Sequence, residues 1–244
     1  VLANQVSDLA KELNDYHMVG LGRDVDAKSR ETFLKIKAGY RIFNGNADGE
    51  FSPLLYRKSR FKLMDFGIFW FSATPDVPSI WTSYAAANRR ICTWLRLHDK
   101  SADRTFYIYN LHLENGRDKD TLRTASSQIL IERIRSREFK DDPVLICGDF
   151  NARDTESTIT ILIDGQENNS STSLNLTDSW RSLNHESDSE GTFHFWTGKR
   201  DGSRIDYIFV SADWEIRDSQ INTYSKNDSY PSDHYPISST LKLK

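Results

Sequence analysis

The sequence predicts an α/β fold in which two packed, mainly antiparallel β-sheets are flanked by helices. Strand-like runs with two-residue alternation recur along most of the chain. Helical periodicity occurs only in a few separated places, the pattern of sheets covered by helices. No linker, repeat or composition break divides the 244 residues, so one continuous domain over 1–244 is expected.

Leu2, Val6, Leu9 and Leu13 recur at helical spacing, and Met18-Val19-Gly20-Leu21 reads as a short strand. A charged stretch that follows reads as irregular. Strands are then expected over Phe51–Tyr56, Phe61–Phe71, Ile91–Leu97 and Thr105–Leu113. In the third, Thr93, Leu95 and Leu97 alternate with Trp94, Arg96 and His98, which predicts one buried and one wetter face. Leu122, Ala125, Ile129, Leu130 and Ile134 fall on a helical repeat, so Asp120–Arg135 is expected as a surface helix. Pro143–Cys147 reads as a buried strand, Thr155–Ile163 as a short helix and Asn168–Ser173 as a polar loop. The last strands are Arg204–Val210, Trp214–Tyr224 and Ile237–Leu243.

Composition excludes little. With 32 basic and 35 acidic residues the net charge is −3, so no general basic face announces nucleic acid, although a local basic cleft stays open. No apolar run reaches the length of a membrane span and no signal peptide is visible. Cys92 and Cys147 sit in apolar runs and read as buried thiols. Asn168, Asn169, Asn175 and Asn227 lie in glycosylation sequons that matter only in a secreted chain. A soluble protein, cytoplasmic or secreted, is expected, with no obligate protein partner.

The chemistry concentrates in four places. Gly148-Asp149-Phe150-Asn151 follows an apolar run, and two residues apart on an extended segment Asp149 and Asn151 would face one site. A carboxylate and an amide there can share a water and a metal-bound phosphate, although Gly-Asp-x-Asn is also turn chemistry. Ser232-Asp233-His234 lies in a loop stiffened by Pro231 and Pro236 and offers a metal ligand beside a proton-bearing ring. Asp206 stands in an apolar strand, where an unpaired charge is costly, and takes His234 or Arg204 as its partner. Asn110 and His112 end a strand on one face, with Glu50 a candidate to orient His112 and His112 a donor to phosphate.

Asn110-Leu111-His112-Leu113, Gly148-Asp149-Phe150-Asn151, Arg204-Ile205-Asp206-Tyr207 and Ser232-Asp233-His234 stand in the order typical of the endonuclease/exonuclease/phosphatase superfamily, which the chain resembles. Glu50–Tyr56, Phe69–Pro75 and Arg90-Ile91-Cys92-Thr93-Trp94 are similar to its bacterial-type metal-dependent hydrolase branch. The resemblance implies the DNase I-like four-layer sandwich and a phosphoesterase. It implies that Asp149 orients or deprotonates water, that Asn151 holds phosphate and water, and that His234, paired with Asp206, stabilises phosphoryl charge. It also implies Asp233 at the metal site with Asp149 and Asn151, and His112, supported by Glu50, at the phosphate with Asn110 bracing. The implied ion is Mg2+, with Mn2+ as substitute.

Members of that superfamily usually open with a strand carrying an Asn and a Gln-Glu pair that supplies a metal ligand. This sequence starts in the helix that would follow, and Gln166-Glu167 lies downstream of Asp149. The N-terminal strands are therefore expected to be missing, and residues 1–244 alone to bind magnesium weakly and hydrolyse slowly. Substrate selection falls to two aromatic, basic loops, Phe193-His194-Phe195-Trp196 with Lys199 and Arg200, and Ile80-Trp81 running to Arg89-Arg90; Arg23 is a further candidate. The resulting readings are a phosphodiesterase or phosphomonoesterase on a small or nucleotide-like substrate, a DNA or RNA nuclease, and a catalytically silent phosphate-binding module.

Overall fold

The computed structural model describes residues 2–35, 49–83, 88–163, 174–184 and 189–244. Gln166-Glu167, the sequons at Asn168 and Asn169 and the polar tract 168–173 lie outside the described residues. Two compact units divide the chain, Val1–Glu114 and Asn115–Lys244.

The first unit opens with α1 (Ala3–Glu12). Of the four residues on its expected apolar face only Val6 is fully buried, against Met18 and Phe51, while Leu2 and Leu9 are exposed. Next come β1 (Tyr16–Val19) and α2 (Ala27–Leu34). The second of these corrects the irregular reading of the charged stretch. Asp26 caps it by accepting from the Ser29 backbone N–H at 2.7 Å, and its buried residues are only Ser29 and Phe33, too few to make an apolar stripe. Strand β2 (Leu54–Arg57) starts after Pro53, which has no N–H to give a ladder, and pairs antiparallel with β1. An antiparallel ladder then joins β3 (Phe61–Trp70), β4 (Ile91–Asp99) and β5 (Arg104–His112), with Leu95 opposite both Phe66 and Ile108. The expected alternation holds in β4, where Thr93, Leu95 and Leu97 are buried and Trp94, Arg96 and His98 only partly so.

In the second unit, α3 (Asp120–Arg135) buries Leu122, Leu130 and Ile134 and packs on α4 (Ser157–Ile163). The Ser127 hydroxyl donates to Thr158 O at 2.9 Å across that contact. Between them, β6 (Val144–Asp149) reaches two residues beyond the expected Cys147. A two-residue β7 (Thr177–Asp178), absent from the sequence reading, flanks β8 (Asp206–Val210). Strands β9 (Trp214–Ile221) and β10 (Ile237–Leu243) pair antiparallel. The register of β6 against β8 sets Asp149 directly opposite Asp206. Both cysteines are thiols, and burial pushes that of Cys147 up to about 12. Among the described residues no helix is long and apolar enough to cross a membrane.

Candidate functional site

Asp149 and Asp206 face each other at neighbouring strand ends, an arrangement that like charge alone would disfavour. His234 resolves it. Its Nδ1 lies 2.9 Å from Asp206 Oδ2, so the partner left open between His234 and Arg204 is His234. Arg204 instead bonds Asp178 Oδ2 at 2.7 Å and Asp154 Oδ2 at 3.2 Å. His234 Nε2 is 3.9 Å from Asp149 Oδ2, too long for a hydrogen bond but close enough for charge to act. Burial by itself would lower the imidazole's pKa. The hydrogen bond and charge of Asp206, with the charges of Asp149 and Asp233, outweigh it and raise the pKa to about 9.

The Asp149–Asn151 segment is built differently from the extended pair that the sequence suggested. Asn151 has φ 50, in the left-handed region that Asn tolerates, and its N–H donates to Asp149 Oδ1 at 2.8 Å. Its side-chain nitrogen stands 3.4 Å from Asp149 Oδ2. The two residues are brought together by a turn and not by strand periodicity. Between them Phe150 is fully buried, edge-on to Tyr207 and Phe209 with ring centroids 5.6 and 5.3 Å away. That ring anchors the turn on β8, the strand that carries Asp206.

The loop bearing Asp233 and His234 is tied to the Thr192–Trp196 segment. Asp233 O accepts from the backbone N–H groups of His194 and Phe195, and Tyr235 N donates to Thr192 O at 2.7 Å. Phe193 lies against the His234 ring at 4.9 Å. Asp149, Asp206 and His234 place potential ligand atoms within 4.8 Å of one another. The oxygen donors of this group suit a hard divalent cation. The imidazole, protonated at neutral pH and closed on Asp206, suits an anion instead. Asp233 stands outside that three-residue group.

The first unit holds a cluster of its own. Arg90 is 5% exposed and forks. Its Nη2 donates to Glu114 Oε1 at 3.1 Å, and its Nη1 lies 3.4 Å from Glu50 Oε2 and 3.0 Å from His112 Nε2. Since a guanidinium can only donate, His112 Nε2 is an acceptor there and its proton sits on Nδ1, 3.5 Å from Glu50 Oε2. Both ring nitrogens thus face protein groups, which differs from the expected donation by His112 to phosphate. Arg23 Nη1 also pairs with Glu50 Oε2. Asn110 donates to Pro53 O at 2.8 Å and so braces the segment that carries Glu50. Sequence reasoning missed Glu114 and Asn88. Burial would raise the Glu114 pKa, but hydrogen bonds from Asn88 and the Arg90 charge lower it overall. An acidic residue in the apolar continuation of β5 was the available signal.

Residues 59–234 match the Endonuclease/Exonuclease/phosphatase family. The chain belongs to this family. The endonuclease/exonuclease/phosphatase from Bacteroides vulgatus is a similar solved structure, with TM-score 0.80 and 26% identity, covering 100% of this chain and 82% of that one. A mannosyl-6-phosphatase of Bacteroides thetaiotaomicron gives TM-score 0.77 and 28% identity over 98% of this chain and 82% of its own. Among curated relatives, tyrosyl-DNA phosphodiesterase 2 of Danio rerio is 26% identical over 125 residues, 51% of this chain and 30% of the relative. The chain spans less than half the length of the curated relatives it matches. The fold class is the DNase I-like one expected from the motif order.

Proposed function

We propose that the protein is a divalent-metal-dependent phosphoesterase that hydrolyses a phosphodiester or phosphomonoester by attack of a water held at Asp149. The observation that carries this reading is the His234 ring, bonded to Asp206 at 2.9 Å with Nε2 3.9 Å from Asp149 Oδ2. A ring protonated up to about pH 9 is a fixed positive donor at neutral pH. It meets negative charge building on the phosphoryl oxygens without having to gain a proton during the reaction. Asp149 accepts from the water and draws off its proton, while Asn151 holds Asp149 in place and offers its amide to water or phosphate. Asp206 fixes the orientation of His234 and favours its charged form.

Magnesium or manganese would be held by the oxygens of Asp149 and Asn151, and would supply Lewis-acid polarisation of the phosphate. In the first unit Arg90 is closed on Glu114 and Glu50, and Arg23 on Glu50, so an anion there would have to compete with those carboxylates.

The test is hydrolysis of bis-p-nitrophenyl phosphate and p-nitrophenyl phosphate with and without Mg2+ or Mn2+. His234→Ala should lower kcat roughly 10²–10³-fold, and Asp149→Ala roughly 10²–10⁴-fold. Turnover that survives both substitutions, or that ignores the metal, sinks the reading. No turnover under any metal would favour the silent phosphate-binding module. Similarity to tyrosyl-DNA phosphodiesterase 2 supports a second reading, a nuclease of the same fold, which predicts preference for an oligonucleotide over either nitrophenyl ester.

A further inference from the structure

A line of rings leads away from His234. Phe193 lies 4.9 Å from the His234 ring, and Phe195 lies 6.1 Å from Phe193. Trp196 follows at once. Phe195 is 67% exposed and Trp196 55% exposed, among the larger apolar exposures of the chain. Both have left-handed backbones, with φ 47 and φ 65. A bulky residue in that region is a steric outlier, and here two stand in succession. Core packing does not explain them, because the rings point into solvent. The turn does not require them either, since Gly or Asn would adopt it with less strain.

The segment is nevertheless held firmly. His194, between Phe193 and Phe195, is buried, its ring tilted against Tyr235 at 4.1 Å and against Tyr230 at 4.8 Å. Thr197 N donates to His194 O at 2.9 Å, and Gly198 N to His194 Nδ1 at 3.3 Å. The Tyr235 hydroxyl donates to Gly198 O at 2.7 Å. Gly198 itself has φ 71, and the Tyr230 hydroxyl occupies the space that a Cβ would take. A strained and rigidly braced loop thus presents two flat apolar faces beside the loop that carries Asp233 and His234. Exposed Lys199 adds a positive charge next to them.

We propose that Phe195 and Trp196 form a stacking platform for a planar aromatic ring, of the nucleobase kind, carried by the phosphate ester. The inference rests on the phosphoesterase reading and names the substrate class for that same site. Stacking on exposed aromatics is strong enough to decide between esters that differ only in such a ring. The pre-set, rigid presentation lowers the entropy lost on binding.

The experiment compares thymidine 5′-(p-nitrophenyl phosphate) with methyl p-nitrophenyl phosphate, which share a leaving group and differ in the base-bearing part. Wild type should prefer the thymidine ester on the order of tenfold in kcat/KM. In Phe195→Ala and Trp196→Ala that preference should collapse to about twofold or less, mainly through KM. Phe195→Asn fits the left-handed backbone better, so it should raise Tm while losing the preference, which separates binding from a structural role. No preference in wild type, or a preference that survives all three variants, overturns the platform.

A second readout does not depend on turnover. AMP should quench the tryptophan fluorescence of wild type at lower concentration than ribose 5-phosphate or inorganic phosphate, and Trp196→Leu should abolish the difference. Equal quenching by AMP and ribose 5-phosphate overturns the platform in favour of bare phosphate or sugar binding. Quenching without turnover of any ester keeps the platform and removes the hydrolase reading.

Discussion

His234 sits between Asp149 and Asp206, and its charge decides whether two carboxylates can share one corner of the second unit. Burial opposes the charged ring, and Asp206 is the largest factor acting the other way. In Asp206→Asn the hydrogen bond can persist but the charge is gone, so the His234 pKa should fall from about 9 toward or below its ordinary 6.5. An NMR titration of the ring's Cε1 proton in metal-free protein reads this directly, and a value still near 9 would refute the assignment. The same shift has a stability consequence. The folded pKa lies above the unfolded one, so the contribution is fully present below pH 6.5 and is lost as pH rises through about 9. The metal-free protein should therefore lose Tm across that window, and Asp206→Asn should lose less. The Asp206–His234 pair was legible in the sequence because a carboxylate in an apolar strand needs a partner. The Arg90–His112 contact was not. It depends on how β4 and β5 pair, with Cys92 opposite Leu111, and no spacing within either strand reveals that register.

At the scale of elements, the turn after β6 depends on one buried ring. Phe150 separates Asp149 from Asn151 and packs edge-on against Tyr207 and Phe209, which are themselves stacked at 5.1 Å. Phe150→Ala should cost about 3–5 kcal/mol by urea unfolding, from lost burial and the cavity left behind. Phe150→Leu fills much of that space and should cost less. If Phe150→Leu retains fold but loses kcat with little change in KM, the ring positions Asp149 as well as stabilising the strand. A Phe150→Ala cost below about 1 kcal/mol would mean that the turn is held by other contacts. Elements with a strong period were legible: α3 has the bounds its 3.6-residue repeat predicts, and β4 the faces its alternation predicts. Those without one were not. The two buried residues of α2 make no stripe, and a two-residue strand such as β7 has no room for a period.

At the scale of the whole molecule, charge separates the small-ester reading from the nuclease reading. The chain carries −3 with acidic and basic residues nearly balanced. Several of its arginines are committed to carboxylates: Arg60 to Asp99, Arg123 to Glu156, Arg181 to Asp154 and Glu190, and Arg204 to Asp178. Guanidiniums closed on carboxylates release no counterions when a phosphate chain arrives. Each phosphate that a protein neutralises on duplex DNA adds about 0.9 to the slope of log affinity against log salt. A balanced surface should engage few, so duplex DNA affinity should fall with a slope of roughly −2 or shallower between about 50 and 200 mM salt. Fluorescence anisotropy of a labelled duplex, measured in that range with Mg2+ present, gives the slope. A small ester needs only the local donors, Asn151 and His234, and its KM should change little over the same range. A steep slope of roughly −6 or more would require a continuous basic groove and would move the function from a small phosphate ester to a nucleic acid backbone.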